Sequence, residues 1–411
     1  MSRKKILFVL PIMPWPLNTG GNQAMFNGIA ALLGTVDIFI TFPIIKKDVK
    51  GKDYADLKKE LENQANLLPF VRTPRKRSLV ERLAVKAVKE LDVRFVRSSK
   101  EQLLDKELQI NQVTNEEIAF INDIIRDNQI NTVQVEMLPH LSLVNSLPKH
   151  VRKIFVHHEL GFVRKRLILE ELGVDNSYWS RLDSYKICEI GLLNKYDDII
   201  VLSEIDKVKL EQAGVHVPIH SSFAVVKPLE GNYKPQLDDC HKLFFIGAPK
   251  HRPNYLAVRW FLENCWSKLL SKDDKYSLEI IGVWDDNLKN EIVGHYQNIH
   301  FLGFVPDLAD VLKDGIMIVP ITVGSGIRMK ILESANYGIP VVSTSIGAEG
   351  LPVKDGENVF LADNPDDFVN DILKLKDRDL RIKFSDALKE MIRNKYSLEA
   401  LMNNRRQIVD A

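Results

Sequence analysis

Short runs of apolar, mostly β-branched residues alternate along this chain with longer stretches in which apolar positions recur every three to four residues. The first pattern is that of a buried strand and the second that of an amphipathic helix, so the alternation predicts an α/β chain with parallel sheets. Strands are expected at 5–10, 36–42, 132–136, 151–156 and 197–203, with a short one near 218–223. Helices are expected at 22–33, 115–127 and 204–213, and 162–195 is rich in helix formers. A proline-spaced polar stretch without periodicity, 225–241, reads as containing a linker. The alternation then restarts, with strands at 242–246, 277–281, 299–302, 316–319, 341–343 and 359–361, a helix at 255–270 and helical segments to the end. Two successive Rossmann-like halves follow: an N-terminal domain over 1–224 and a C-terminal domain over 225–393.

Bulk composition agrees with two cores, since 411 residues at 45% hydrophobic exceed what one core usually holds, roughly 250–300 residues. A net charge of +1 argues against a general nucleic-acid binder. Cys188, Cys240 and Cys265 stand far apart without paired metal-ligand spacing, which favours reduced thiols and a cytoplasmic setting. The apolar run near the start is broken by Pro11, Pro14 and Pro16, short of a membrane span.

The most informative stretch is 318–343, IVPITVGSGIRMKILESANYGIPVVS. It predicts a strand, a glycine-hinged loop, a helix from about 327 to 337 and a second strand. Gly324, Ser325 and Gly326 form the hinge, where glycine lets backbone approach a ligand closely. Arg328 and Lys330 bring two cations to the helix N-terminus, whose unpaired N–H groups favour a phosphate or diphosphate. Glu333, one helical turn after Lys330, suits a pair of ribose hydroxyls.

Elsewhere the candidate chemistry sits at strand ends, where doubly wound sheets gather ligands. Gly20 and Gly21 follow the first strand, but their spacing is not G-x-G-x-x-G and the second strand lacks a terminal acid, so a nicotinamide cofactor is not expected. His157, His158 and Glu159 close the strand at 151–156, and one of the histidines is expected to face a substrate; Glu136 closes another strand. The triplet is not H-E-x-x-H, and the paired acids elsewhere lie in charged loops, so no metal site is expected. Between 70 and 100, ten basic residues face three acidic ones, and Arg82, Lys86 and Lys89 line the outer face of an amphipathic helix suited to an anionic membrane surface or a lipid diphosphate.

Three stretches together, FIGAPKHRPNYLAVRWF at 245–261, IHFLGFVPDLADVL at 299–312 and VGSGIRMKILESANYGIPVVSTSIGAEGL at 323–351, resemble the group-1 (family 4) retaining glycosyltransferases of the GT-B fold. The resemblance covers most of the chain and is strongest over 242–365. It implies two Rossmann-like domains facing a cleft, the nucleotide-sugar held by the second, the acceptor by the first, and a terminal helix, 394–411, crossing back. Carried over by position, Glu333 would bind the ribose, Arg328 and Lys330 the diphosphate, and Gly303 to Pro306, with Val305 among them, the base. Gly20 and Gly21 would lie near donor phosphates or acceptor, and His157 or His158 near the transferred sugar. Two positions depart from the family: Ser325 stands where many members have a sugar-binding glutamate, and Ala248 where an arginine is usual, leaving Lys250 or Arg252 to supply that charge.

The expectation is transfer of a sugar from a nucleoside diphosphate to a saccharide or lipid-linked acceptor, with retention and without metal or a further cofactor. It would serve glycan or cell-surface polysaccharide synthesis at the inner face of the membrane. A sugar-nucleotide epimerase and a non-catalytic partner subunit of the same fold are the rival readings.

Overall fold

The structure, a computed structural model, describes residues 3–61, 64–72, 104–226, 229, 233, 235–324, 326 and 328–410. Two compact units emerge, Met1–Val201 with Lys207–His220, and Leu202–Asp206 with Ser221–Ala411. The first contains β1 (Lys5–Val9), β2 (Asp37–Thr41), β3 (Pro43–Ile45), β4 (Ala65–Leu67), β5 (Phe70–Arg72), β6 (Thr132–Glu136), β7 (Arg152–His157), β8 (Asp198–Val201) and most of β9 (Ile219–Ser221). Seven of these form a sheet of order β4-β2-β1-β6-β7-β8-β9. β1 runs parallel to both β2 and β6, Leu7 lying opposite Phe39 on one side and Val133 on the other. The sheet's central strands are buried on both faces, β1 and β8 with mostly apolar residues and β6 with Gln134 and Glu136 buried among its valines.

The second unit repeats the plan with β10 (Lys242–Ile246), β11 (Ser277–Ile281), β12 (Ile299–Gly303), β13 (Ile316–Val319), β14 (Val341–Ser343) and β15 (Phe360–Leu361), in the order β12-β11-β10-β13-β14-β15. In each unit the order reverses beside the first strand, at β1/β6 and at β10/β13. Such a switch point opens a crevice at the carboxyl ends of the strands.

Several elements differ from expectation. β3 and β5 pair as a separate two-stranded ladder, too short to register as periodicity. Thr19 caps the first helix by accepting from the Asn22 N–H at 3.1 Å, so that helix spans Gly20–Ala30 and includes both glycines. The helix expected at 255–270 is Arg252–Phe261, then a π-helical turn at Leu262–Trp266, then Ser267–Lys272. The wider turn brings Leu262, Cys265 and Trp266 all into the core. Residues 236–240 are tied to the second unit: Gln236 N–H donates to Lys313 O at 2.8 Å, and buried Arg381 donates to Leu237 O at 2.9 Å. The basic helix expected within 70–100 lies, beyond Arg72, outside the described residues. Among the described residues no helix is long and apolar enough to cross a membrane.

Candidate functional site

In the second unit, three neighbouring strands end in glycines that pack backbone against backbone. Gly282 N–H donates to Gly303 O at 2.7 Å, and Gly247 N–H donates to Ile281 O at 2.8 Å. A Cβ on Gly282 would stand 2.8 Å from both C and O of Gly247, so no side chain fits there. Gly247, at φ +155°, is equally closed: a Cβ would lie 2.5 Å from Asn254 Nδ2. The Trp284 indole N–H donates to Gly247 O at 2.9 Å and pins the turn from β10 into helix Arg252–Phe261. Lys250 and Arg252 are exposed around this turn; Val305, in the loop after β12, is half-buried.

Across the switch point β13 leads to helix Met329–Tyr337, whose N-cap position is Arg328 and which has no side-chain cap. Gly324 adopts φ +135°, and a Cβ there would come within 2.9 Å of Arg328 Nη2; Gly326 also has positive φ, at +82°. These conformations are open to glycine and strained for other residues. Ser325 lies outside the described residues. Arg328 and Lys330 are both buried, and Glu333 is half-buried one turn on. The Lys330 ammonium donates to Asn254 Oδ1 at 2.8 Å and sits 4.4 Å from the centroid of the Phe245 ring. Burial, reinforced by the Arg328 charge, pulls its pKa down to about 7. The first turn of the helix holds no acidic residue. Two buried cations at the positive end of a helix repel each other and the dipole, an arrangement that an anion relieves.

Asn254 escaped notice in the sequence. Its signal was there: with Ala257, Val258 and Phe261 it completes an i, i+3, i+4, i+7 stripe, the one polar residue on a buried face.

In the first unit, Gly20 and Gly21 open helix Gly20–Ala30, and a Cβ on Gly21 would lie 2.9 Å from Met137 Cε. Met137 follows β6 with φ +65°, unusual for a side chain of its size. The two adjacent histidines part company at the end of β7. The His157 side chain is fully buried, its Nε2 2.9 Å from Glu189 Oε1. Glu189 also accepts from the N–H groups of Gly161 at 3.0 Å and Phe162 at 2.9 Å, so it caps helix Gly161–Leu172 from the following helix, Asn176–Leu193. Nothing in the sequence pairs residues so far apart. His158 instead reaches Glu136 Oε2 at 2.6 Å, with its side chain 10% exposed. Gln134 Nε2 donates to Glu136 Oε1 at 2.7 Å, which leaves the carboxylate fixed at the carboxyl end of β6.

Residues 240–378 match the family described as Glycosyl transferases group 1. Among solved structures, S. aureus TarM in complex with Fondaparinux, alpha-GlcNAc-glycerol and UDP is similar over 99% of this chain and 100% of its own, at TM-score 0.66 and 14% identity. Anabaena HepE in complex with UDP-glucose is similar over 99% of each chain, at TM-score 0.64 and 11% identity. An uncharacterized 44.6 kDa protein in the cps region of Klebsiella pneumoniae is 23% identical over 253 residues, 59% of this chain. The chain thus spans 62% of the length of that curated relative. Two parallel sheets with a repeated switch point and the likeness over the whole length establish that the chain has the GT-B fold, with residues 240–378 similar to the group 1 glycosyltransferases.

Proposed function

We propose that the chain transfers a sugar from a nucleoside diphosphate to a hydroxyl of a saccharide or lipid-linked acceptor, with retention and without a metal, in glycan or cell-surface polysaccharide synthesis. The observation that carries this reading is the pair of buried cations, Arg328 and Lys330, at a helix N-terminus without an acid in its first turn. The group 1 match over that segment supports it, as do the UDP complexes of TarM and HepE and the cps-region relative.

In this reading the diphosphate lies against Arg328 and Lys330, and Glu333 takes the ribose hydroxyls. The base rests on the backbone of Gly303 and Val305, and Lys250 or Arg252 adds charge at the phosphate. As the bond between the sugar C1 and the β-phosphate oxygen breaks, negative charge gathers on that oxygen. The two cations and the helix dipole stabilise it in place of a metal. The acceptor oxygen bonds C1 on the same face, its proton passes to a departing phosphate oxygen, and the nucleoside diphosphate leaves. Gly20, Gly21 and His158 belong to the acceptor side; His158, oriented by Glu136, positions a hydroxyl or steadies developing charge. The basic 70–100 region would hold the protein against an anionic membrane.

A panel of UDP-, GDP- and ADP-sugars screened for thermal stabilisation tests the reading. One nucleotide class should raise Tm, because a ligand selective for the folded state stabilises it, by about 2.7 kcal/mol at a hundredfold excess over Kd. Arg328→Ala should abolish most of the shift. No shift with any donor, or an equal shift in the variant, would sink the assignment.

A further inference from the structure

The Asn254 carboxamide joins three parts of the second unit. Its Oδ1 accepts from Lys330 at 2.8 Å, and its Nδ2 donates to Ala248 O at 3.0 Å in the turn after β10. Its own N–H donates to His251 O at 2.9 Å, and Gly247 leaves room for its side chain by having none. We propose that Asn254 is a positioning residue of the donor-diphosphate site, holding the Lys330 ammonium in place through a neutral acceptor so that its charge stays available to the donor. This inference rests on the nucleotide-sugar reading of that site.

The choice of an amide has a chemical reason. A carboxylate at this position would hold the ammonium equally well but neutralise it, leaving less field for a diphosphate. An aliphatic side chain would leave a buried ammonium without this acceptor and drive it towards the neutral amine. The groups facing Lys330 are Arg328 at the start of its own helix, Asn254 from helix Arg252–Phe261 and Phe245 from β10; of these Arg328 carries charge. With its pKa drawn down to about 7, Lys330 is mostly neutral in the free protein at mildly alkaline pH. A diphosphate arriving there restores the proton, so binding and proton uptake are coupled.

Calorimetric titration of UDP near pH ~8, in two buffers of different protonation enthalpy, counts that proton. The wild-type protein should take up close to one proton per UDP, and Lys330→Met should take up none. Asn254→Asp should bind UDP about tenfold more weakly with almost no uptake, since its carboxylate keeps the lysine protonated beforehand. Asn254→Ala should retain the uptake and lose affinity more steeply between pH ~7 and ~9. The near-isosteric aspartate variant carries the test if the alanine variant does not fold. Equal weakening in both variants with an unchanged proton count would mean a merely structural Asn254 and overturn the proposal. UDP binding without Lys330-dependent uptake would overturn it and leave the donor reading standing. Failure of UDP, GDP and ADP alike to bind would overturn both.

Discussion

Replacing Glu189 by glutamine separates architecture from chemistry at the paired histidines. The carboxylate is fully buried and accepts three hydrogen bonds, from the His157 ring and from the N–H groups of Gly161 and Phe162. Burial and the Glu189 carboxylate beside it also push the Tyr185 phenol up. A glutamine keeps one acceptor oxygen and turns an NH2 donor towards a donor. One buried N–H then loses its partner, at a cost of about 1–3 kcal/mol, and the lost negative charge at the helix N-terminus adds about 0.3–1 kcal/mol. The expected total is about 3 kcal/mol, or roughly 6–12 °C in the Tm of a unit of this size. Circular dichroism through thermal and urea unfolding measures it. UDP affinity should stay as in the wild type, because the cations proposed to bind it, Arg328 and Lys330, lie in the other unit. At temperatures where both variants are fully folded, turnover in Glu189→Gln should fall by no more than a few-fold, whereas His158→Ala, which also costs stability by taking a partner from buried Glu136, should reduce kcat by about a hundredfold. A destabilisation under 1 kcal/mol would refute the accounting of the three hydrogen bonds. Turnover lost as deeply in Glu189→Gln as in His158→Ala would show that His157 takes part in the chemistry.

Two further outcomes follow from the second unit. Gly282→Ala drives a methyl into the Gly247 backbone at φ +137°, and should weaken UDP binding together with a loss of about 1–3 kcal/mol of stability; unchanged binding would show that the turn can shift freely. Asp273 is held down to about 2, first by its hydrogen bond from Lys376 and also by the Lys275 N–H. Its contribution to stability is therefore present above the unfolded carboxylate value of about 3.9 and is lost as pH falls through about 2. Asp273→Asn should unfold more easily than the wild type at neutral pH and converge with it in strong acid, as followed by denaturant melts across that range; a gap independent of pH would contradict the linkage.

The doubly wound plan was legible because short β-branched or apolar segments alternate with helical ones, so that 132–136 (TVQVE) and 242–246 (KLFFI) read as strands with the bounds the structure gives. β3, β4 and β5 were not, since three residues carry no measurable period. On the donor side, the glycines and cations of 323–330 lie close together in sequence, and a local pattern can report a local site. What local pattern cannot report is a partner brought in by folding. Asn254 meets Lys330 from 76 residues away, and Glu189 reaches His157 from 32. Hence two histidines side by side looked equivalent until the structure buried one and left the other at the strand end. The boundary of the first helix shows the same limit on a smaller scale: Thr19 moved the start from the expected 22 to Gly20, and a glycine pair placed ahead of the helix became its opening.

Both helices that start at the second unit's switch point, Arg252–Phe261 and Met329–Tyr337, lack a side-chain cap, whereas Thr19 provides one for the helix that follows β1. An absent cap commonly costs a helix about 1 kcal/mol. Selection for stability alone would have placed a serine or aspartate there. Under the proposed function, a donor diphosphate would accept from the N–H groups at the start of Met329–Tyr337 and serve that helix as a detachable part of its secondary structure.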